Sequence, residues 1–208
     1  MDLKSGAALV EYARQAIEAY LKQGERLEWS TQDPGLLEKR GVFVTLLEGS
    51  DARMLRGCIG APYPDAPLIS QLVEVAVDAA TSDPRFPPVP LSEFNSKVIV
   101  EVTILSNPEE LKVEKPIRYK DQIMIGRDGI IIEGLEGRGL LLPQVAVEEG
   151  FDAEEFLSQA CLKAGLLPDA WLSDKVRVSR FQGQVFSEAA PGGSVSEKII
   201  SKRRGSKY

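Results

Sequence analysis

Residues 97–105, KVIVEVTIL, leave the chain little choice of fold. Val98, Val100, Val102 and Ile104 recur with a period of two, with Glu101 and Thr103 on the opposite face, the signature of a strand with one side against a core. A strand needs neighbours, and the sequence supplies them in pairs. Residues 41–48 (GVFVTLLE) and 53–60 (RMLRGCIG) read as two strands, joined by the turn chemistry of Gly49-Ser50-Asp51. A second hairpin is expected across Asp128-Gly129, between 122–127 and 130–135, and a last strand over 175–186. Tight hairpins pair strands antiparallel.

Helices fall between these pairs. Leu9, Tyr12, Ala13, Ala16, Ile17, Tyr20 and Leu21 share one face over 5–23, and Gly24 stops that helix. Pro67 opens another, with Leu68, Leu72, Val75, Ala76 and Ala79 on its buried side. Pro143 starts a short helix, while Asp152 with Glu155 forms a capping box for a helix at 153–164 that Gly165 ends. Helices and antiparallel strands in this order give an α+β fold with an antiparallel-rich sheet and flanking helices. Residues 83–90, DPRFPPVP, admit no regular element, and the Phe86–Pro87 bond is open to cis geometry. From Ala189 onward Gly192-Gly193 precedes five cations against the single Glu197, a net +4. This reads as a mobile basic tail, residues 189–208, beside a folded body, residues 1–188, of net −10.

Composition narrows function mainly by exclusion. With 43% hydrophobic and 27% charged residues among 208, the chain is neither disordered nor fibrous. A net charge of −6 excludes binding to nucleic acid by bulk field, which leaves only the basic tail for that purpose. There is no histidine, so Ser-His-Asp and Cys-His catalysis and His-ligated metals are excluded. Cys58 and Cys161 are too few for a disulfide scaffold or a four-thiolate zinc site. The first residues lack the pattern of a signal peptide, and no apolar run reaches the ~18 residues of a membrane span. A cytoplasmic protein with free thiols is expected, with no membrane partner; a hyperthermophilic source would leave a disulfide open. Asn95 and Asn107 are the only asparagines, a composition that points to a thermophilic source.

Two segments could carry chemistry. In Leu55-Arg56-Gly57-Cys58-Ile59-Gly60, two glycines interrupt a strand of bulky residues, which permits a bulge or a close backbone approach. A period of two puts Arg56 on the face of Cys58, where a guanidinium would favour the thiolate; otherwise Cys58 is a small buried hydrophobe. In Asp83-Pro84-Arg85-Phe86-Pro87-Pro88, prolines stiffen a loop that presents an acid, a base and an aromatic ring; the same residues could equally be a packed connection. Glu101, if its face is buried, needs a cation, and Arg56 is the expected partner. Glycines 126, 129, 134, 137 and 139 match no phosphate-loop spacing, and hairpin turns account for them. Helix caps account for the acids Glu148, Glu149, Asp152, Glu154 and Glu155 better than a cation site does.

Leu55–Gly60, Asp83–Val89, Gly126–Ile130, Leu141–Val145, Phe156-Leu157 and Cys161–Leu166, in that order, resemble the AMMECR-type domain family, named for the chromosomal region of Alport syndrome, midface hypoplasia and elliptocytosis. The likeness covers roughly residues 5–188 and leaves out the basic tail. It implies an α+β fold of two lobes around a cleft, with the LRGCIG segment near that cleft. By position it makes Arg56, Gly57, Cys58, Gly60, Asp83, Arg85 and Phe86 candidate site residues, to which the strand reading adds Glu101. It implies no settled reaction, but a housekeeping or nucleic-acid-linked role, with Memo-like and radical-SAM proteins as companions; the cofactor is left unknown. Two readings follow. One is a small-molecule enzyme, with Cys58 as nucleophile or redox group and Arg56 and Arg85 holding an anionic ligand. The other is a non-catalytic binding or scaffold module for a nucleotide, nucleic acid or partner protein. An exposed, acidic Cys58 thiol would favour the first, a buried unperturbed one the second.

Overall fold

The apolar stripe at the start of the chain forms helix α1 (Leu3–Gln23). Asp2 caps it by accepting from the Ser5 N–H at 2.8 Å, and Gly24, at φ 75°, turns the chain out through the left-handed region that glycine enters without penalty. The structure, a computed structural model, describes residues 1–198 apart from Ser30, 50–53, Pro64 and Glu136. The chain divides into two compact units. Among the described residues, the first comprises 1–105 with 184–198, and the second comprises 106–183.

In the first unit, a short turn of helix α2 (Pro34–Leu37) leads to β1 (Val42–Glu48) and β2 (Met54–Ala61). These strands pair antiparallel as expected; the centre of their connection lies outside the described residues. Helix α3 (Leu68–Thr81), helix α4 (Leu91–Lys97) and β3 (Val98–Leu105) follow. Strand β3 pairs antiparallel with β1. Val42, Val44 and Leu46 of β1 and Val98, Val100, Val102 and Ile104 of β3 meet Leu9, Ala13 and Ile17 of α1 and Leu68, Leu72 and Ala76 of α3 in one core. The face carrying Glu101 and Thr103 is also buried, so β3 is covered on both sides. All described peptide bonds are trans, Phe86–Pro87 included.

Gly57 is the point at which β2 meets α3. A Cβ on it would lie 2.2 Å from the Ala79 carbonyl oxygen, which is backbone and cannot rotate away. Gly57→Ala should therefore force the strand off the helix and cost about 1–3 kcal/mol, read by urea unfolding. A variant as stable as the parent would show that the two elements separate freely.

The second unit begins with β4 (Glu109–Glu110) and a turn of 3-10 helix that runs into α5 (Tyr119–Gln122). Strands β5 (Asp128–Glu133) and β6 (Arg138–Leu141), helix α6 (Pro143–Glu149) and helix α7 (Ala153–Lys163) come next. The capping box of α7 is present, with Asp152 accepting from the Glu155 N–H and Glu155 from the Asp152 N–H. Strand β7 (Arg177–Glu188) pairs antiparallel with β4 and β5, and β5 with β6. Ile130, Ile132, Phe156, Leu157, Ala160, Cys161 and Val178 form this unit's core.

The hairpin expected across Asp128-Gly129 is displaced. Both residues open β5, and the β5–β6 connection lies at 134–137, where the Gly134 N–H reaches the Gly137 carbonyl at 2.9 Å. Asp128 does serve a turn, but the preceding one. Fully buried, it accepts from the Met124 N–H at 2.9 Å and from Arg127, while Gly126 takes φ 84°. The turn chemistry was real, but the turn joins α5 to β5 and not two strands: residues 122–127 hold the end of α5 and the turn itself.

From residue 184, β7 belongs to the first unit, beside β3. The chain does not leave the fold at 188. After a turn at 189–193 it forms β8 (Val195–Lys198), antiparallel to β7 with Val195 opposite Glu188 and Lys198 opposite Val185. The Gly192-Gly193 pair is the turn of this hairpin, with Gly192 at φ 65°. The charge run Lys202–Lys207 lies outside the described residues.

Candidate functional site

Strand β2 ends the strand order of the sheet, so one row of its peptide groups faces away from β1. The LRGCIG segment occupies it. Gly57 pairs with Leu46 and Leu55 with Leu47, which leaves Arg56 as the extra residue of a bulge. The alternation on which Arg56 and Cys58 would share a face is thereby broken. The Arg56 guanidinium turns to α4 and the proline loop, donating to Glu93 at 2.6 Å and to the Pro87 carbonyl at 2.9 Å.

The same loop clamps the next outward-facing residue. The Cys58 N–H donates to Asp83 at 2.8 Å, and Arg85 donates to the Cys58 carbonyl at 3.2 Å. Arg85 also grips Asp83 through Nε and Nη2 at 3.0 and 2.8 Å. Acid and base together satisfy both peptide groups of one edge residue, much as a neighbouring strand would. The Arg85 guanidinium holds the Asp83 carboxyl well below the ordinary carboxylate range, helped by the Cys58 and Arg85 N–H groups and opposed by burial. The Arg85 side chain is still 53% exposed and lies 5.5 Å from the Phe86 ring centre.

The Cys58 side chain itself projects from a face of the sheet. Cys58, Thr45 and Glu101 are directly opposite one another across β2, β1 and β3. The Cys58 Sγ is 3.4 Å from Thr45 Oγ1, and Glu101 accepts from Lys198 of β8 at 3.0 Å. Burial pushes the half-buried thiol up, and the charges of Asp83 and Glu101 add to that. The Thr45 hydrogen bond and the Arg85 charge pull the other way without reversing it. Gly60 makes room for the Phe43 ring, which a Cβ would meet at 2.2 Å.

Of the sequence candidates, Arg56, Gly57, Cys58, Asp83, Arg85 and Phe86 come together through these bonds and the bulge. Glu101 joins them through Thr45, but its expected pairing with Arg56 is replaced: Arg56 binds Glu93 and Glu101 binds Lys198. The bulge is the physical reason, because it takes Arg56 out of the register that reaches β3. Thr45, Glu93 and Lys198 were missed. Thr45 had a signal, a hydroxyl inside an apolar strand; Lys198 had none, since its segment read as a tail. Among the described residues no cluster of His, Cys, Asp or Glu could hold a metal ion.

The AMMECR1 family model matches residues 10–186, a span that contains every residue of this constellation except Lys198. The chain belongs to the AMMECR1 family. It is 52% identical to Protein MJ0810 of Methanocaldococcus jannaschii over 96% of this chain and 98% of that protein. It is 47% identical to Protein PF1979 of Pyrococcus furiosus over 94% of this chain and 93% of that protein. Among solved structures, the crystal structure of an uncharacterized protein of Pyrococcus horikoshii, PH0010, superposes with a TM-score of 0.84 at 44% identity, covering 96% of this chain and 99% of that one. These AMMECR1 relatives come from thermophilic archaea, in keeping with the near absence of asparagine. No helix among the described residues is long and apolar enough to cross a membrane.

Proposed function

We propose that this AMMECR1 protein is a non-catalytic binding module of the cytoplasm, in which the LRGCIG strand and the proline loop build a stiff recognition surface. The observation that carries this reading is the state of Cys58: half-buried, bonded to Thr45, and with its thiol raised rather than lowered. A nucleophilic cysteine needs the thiolate or an adjacent base, and Thr45 supplies neither. The arginines offer no spare charge for an anion. Arg56 is neutralised by Glu93 and Arg85 by Asp83, which disfavours a nucleotide or nucleic acid and favours a partner protein or an uncharged or zwitterionic ligand. The family resemblance makes Memo-like and radical-SAM proteins the first partners to try. Two unpaired cysteines support a reducing compartment.

Alkylation tests the reading. In a Cys161→Ser background only Cys58 can react, and at neutral pH iodoacetamide should label it more slowly than it labels free N-acetylcysteine. Labelling faster than the free thiol would overturn the module and restore the thiol enzyme.

A further inference from the structure

We propose that a second site, distinct from the Cys58 surface, binds a small α-amino acid with an apolar side chain. A cavity of about 330 Å³ opens in the first unit where β1, α4 and β7 end. This volume lies at the lower end of the range for small-molecule pockets, roughly 300–1,000 Å³. Ile99, only 1% exposed, together with Ala189, Ala190 and Pro191, presents apolar groups to it. Glu48 and Lys97 also line it, and they are its charged groups among the described residues. Ile99 lies on the same face of β3 as Glu101, two residues along, so the cavity is on the face that carries Cys58, Thr45 and Glu101 but shares none of those residues.

The Glu48–Lys97 pair decides the ligand class. Lys97 Nζ lies 3.6 Å from Glu48 Oε1, too far for a hydrogen bond, and neither side chain makes one among the described residues. Their side chains are 62% and 31% exposed, so separating them costs little. A ligand carrying both an ammonium and a carboxylate can insert between them. Its carboxylate takes Lys97 and its ammonium takes Glu48, and one loose contact becomes two charge-assisted hydrogen bonds. A monoanion or a monocation would make only one of these two bonds. The remaining polar side chain of the lining, Ser96, already donates to the Ser92 carbonyl at 2.7 Å, so the ligand's side chain meets apolar groups.

Titration calorimetry on the full chain with L-leucine tests this. L-Leucine should bind saturably, whereas L-leucinamide, N-acetyl-L-leucine and glycine, which lack the carboxylate, the ammonium and the side chain respectively, should bind at least about tenfold more weakly. Lys97→Met should erase the preference for leucine over leucinamide, and Glu48→Gln the preference over N-acetylleucine. Both substitutions are at surface side chains, so a melting curve should confirm an intact fold. No saturable heat with millimolar L-leucine, equal binding of leucinamide, or unchanged binding by both variants would each overturn the site. None of these results bears on Cys58 alkylation, so the two readings fail separately.

Discussion

Glu188→Ala should be the most damaging single substitution outside the apolar core. Glu188 is 2% exposed at its side chain and accepts from Arg14 through both carboxylate oxygens, at 2.5 and 2.6 Å, and from the Val100 N–H at 2.9 Å. Arg14, 11% exposed, also donates to the Val98 carbonyl and lies 4.5 Å from the Phe94 ring centre. The pair thus ties α1, α4, β3 and β7 together inside the first unit. Removing one charge strands the other in a dry site, a loss of about 3–5 kcal/mol. At a few degrees per kcal/mol for a chain of this size, the melting point should fall by roughly 10 °C. The double variant Arg14→Met, Glu188→Leu should recover only part of that: a buried ion pair replaced by apolar groups loses its desolvation penalty along with its attraction, but the Val100 N–H is left without its acceptor. A single variant that melts with the parent would show that water reaches the pair.

Asp83→Ala should cost about 2–3 kcal/mol in chemical denaturation. The orphaned Cys58 N–H accounts for most of it, since half-exposed Arg85 is readily rehydrated. Asp83→Asn separates charge from hydrogen bonding and gives the loss a pH dependence. The folded chain holds the Asp83 carboxyl below its unfolded value, so at low pH the unfolded chain takes up the proton first. The stabilisation is therefore complete above the unfolded carboxylate range, near pH 4, and is lost as pH falls toward the folded value. The gap in stability between parent and Asp83→Asn should be constant from neutral pH to about 5 and close below about 4. A gap independent of pH down to 2 would mean that Arg85 does not hold the carboxylate.

Residues with local causes were legible in the sequence. The period of two in 97–105 placed β3 to within one residue, the Asp152–Glu155 box placed the start of α7, and Gly24 and Gly165 marked helix ends with their positive φ. Each is decided by neighbours a few positions away. Asp128-Gly129 shows the limit of that logic: the residues were recognised as turn formers, but whether the turn joins two strands or a helix to a strand is not set by neighbours a few positions away.

Local pattern sufficed for the α+β class, the antiparallel pairing of β1 with β2 and the helix faces, while resemblance rather than spacing grouped the LRGCIG and DPRF segments in one constellation. What those residues do for one another came from the folded arrangement. Arg56 faces Glu93 because a bulge, which no local propensity specifies, removes it from the strand register. Lys198 reaches Glu101 because a segment that looks like a tail in composition completes a hairpin on β7. Partners 37 and 97 residues apart leave no mark on local sequence pattern. A charge inside an apolar strand announces that it needs a counter-charge, and the packing of distant elements settles which one it receives.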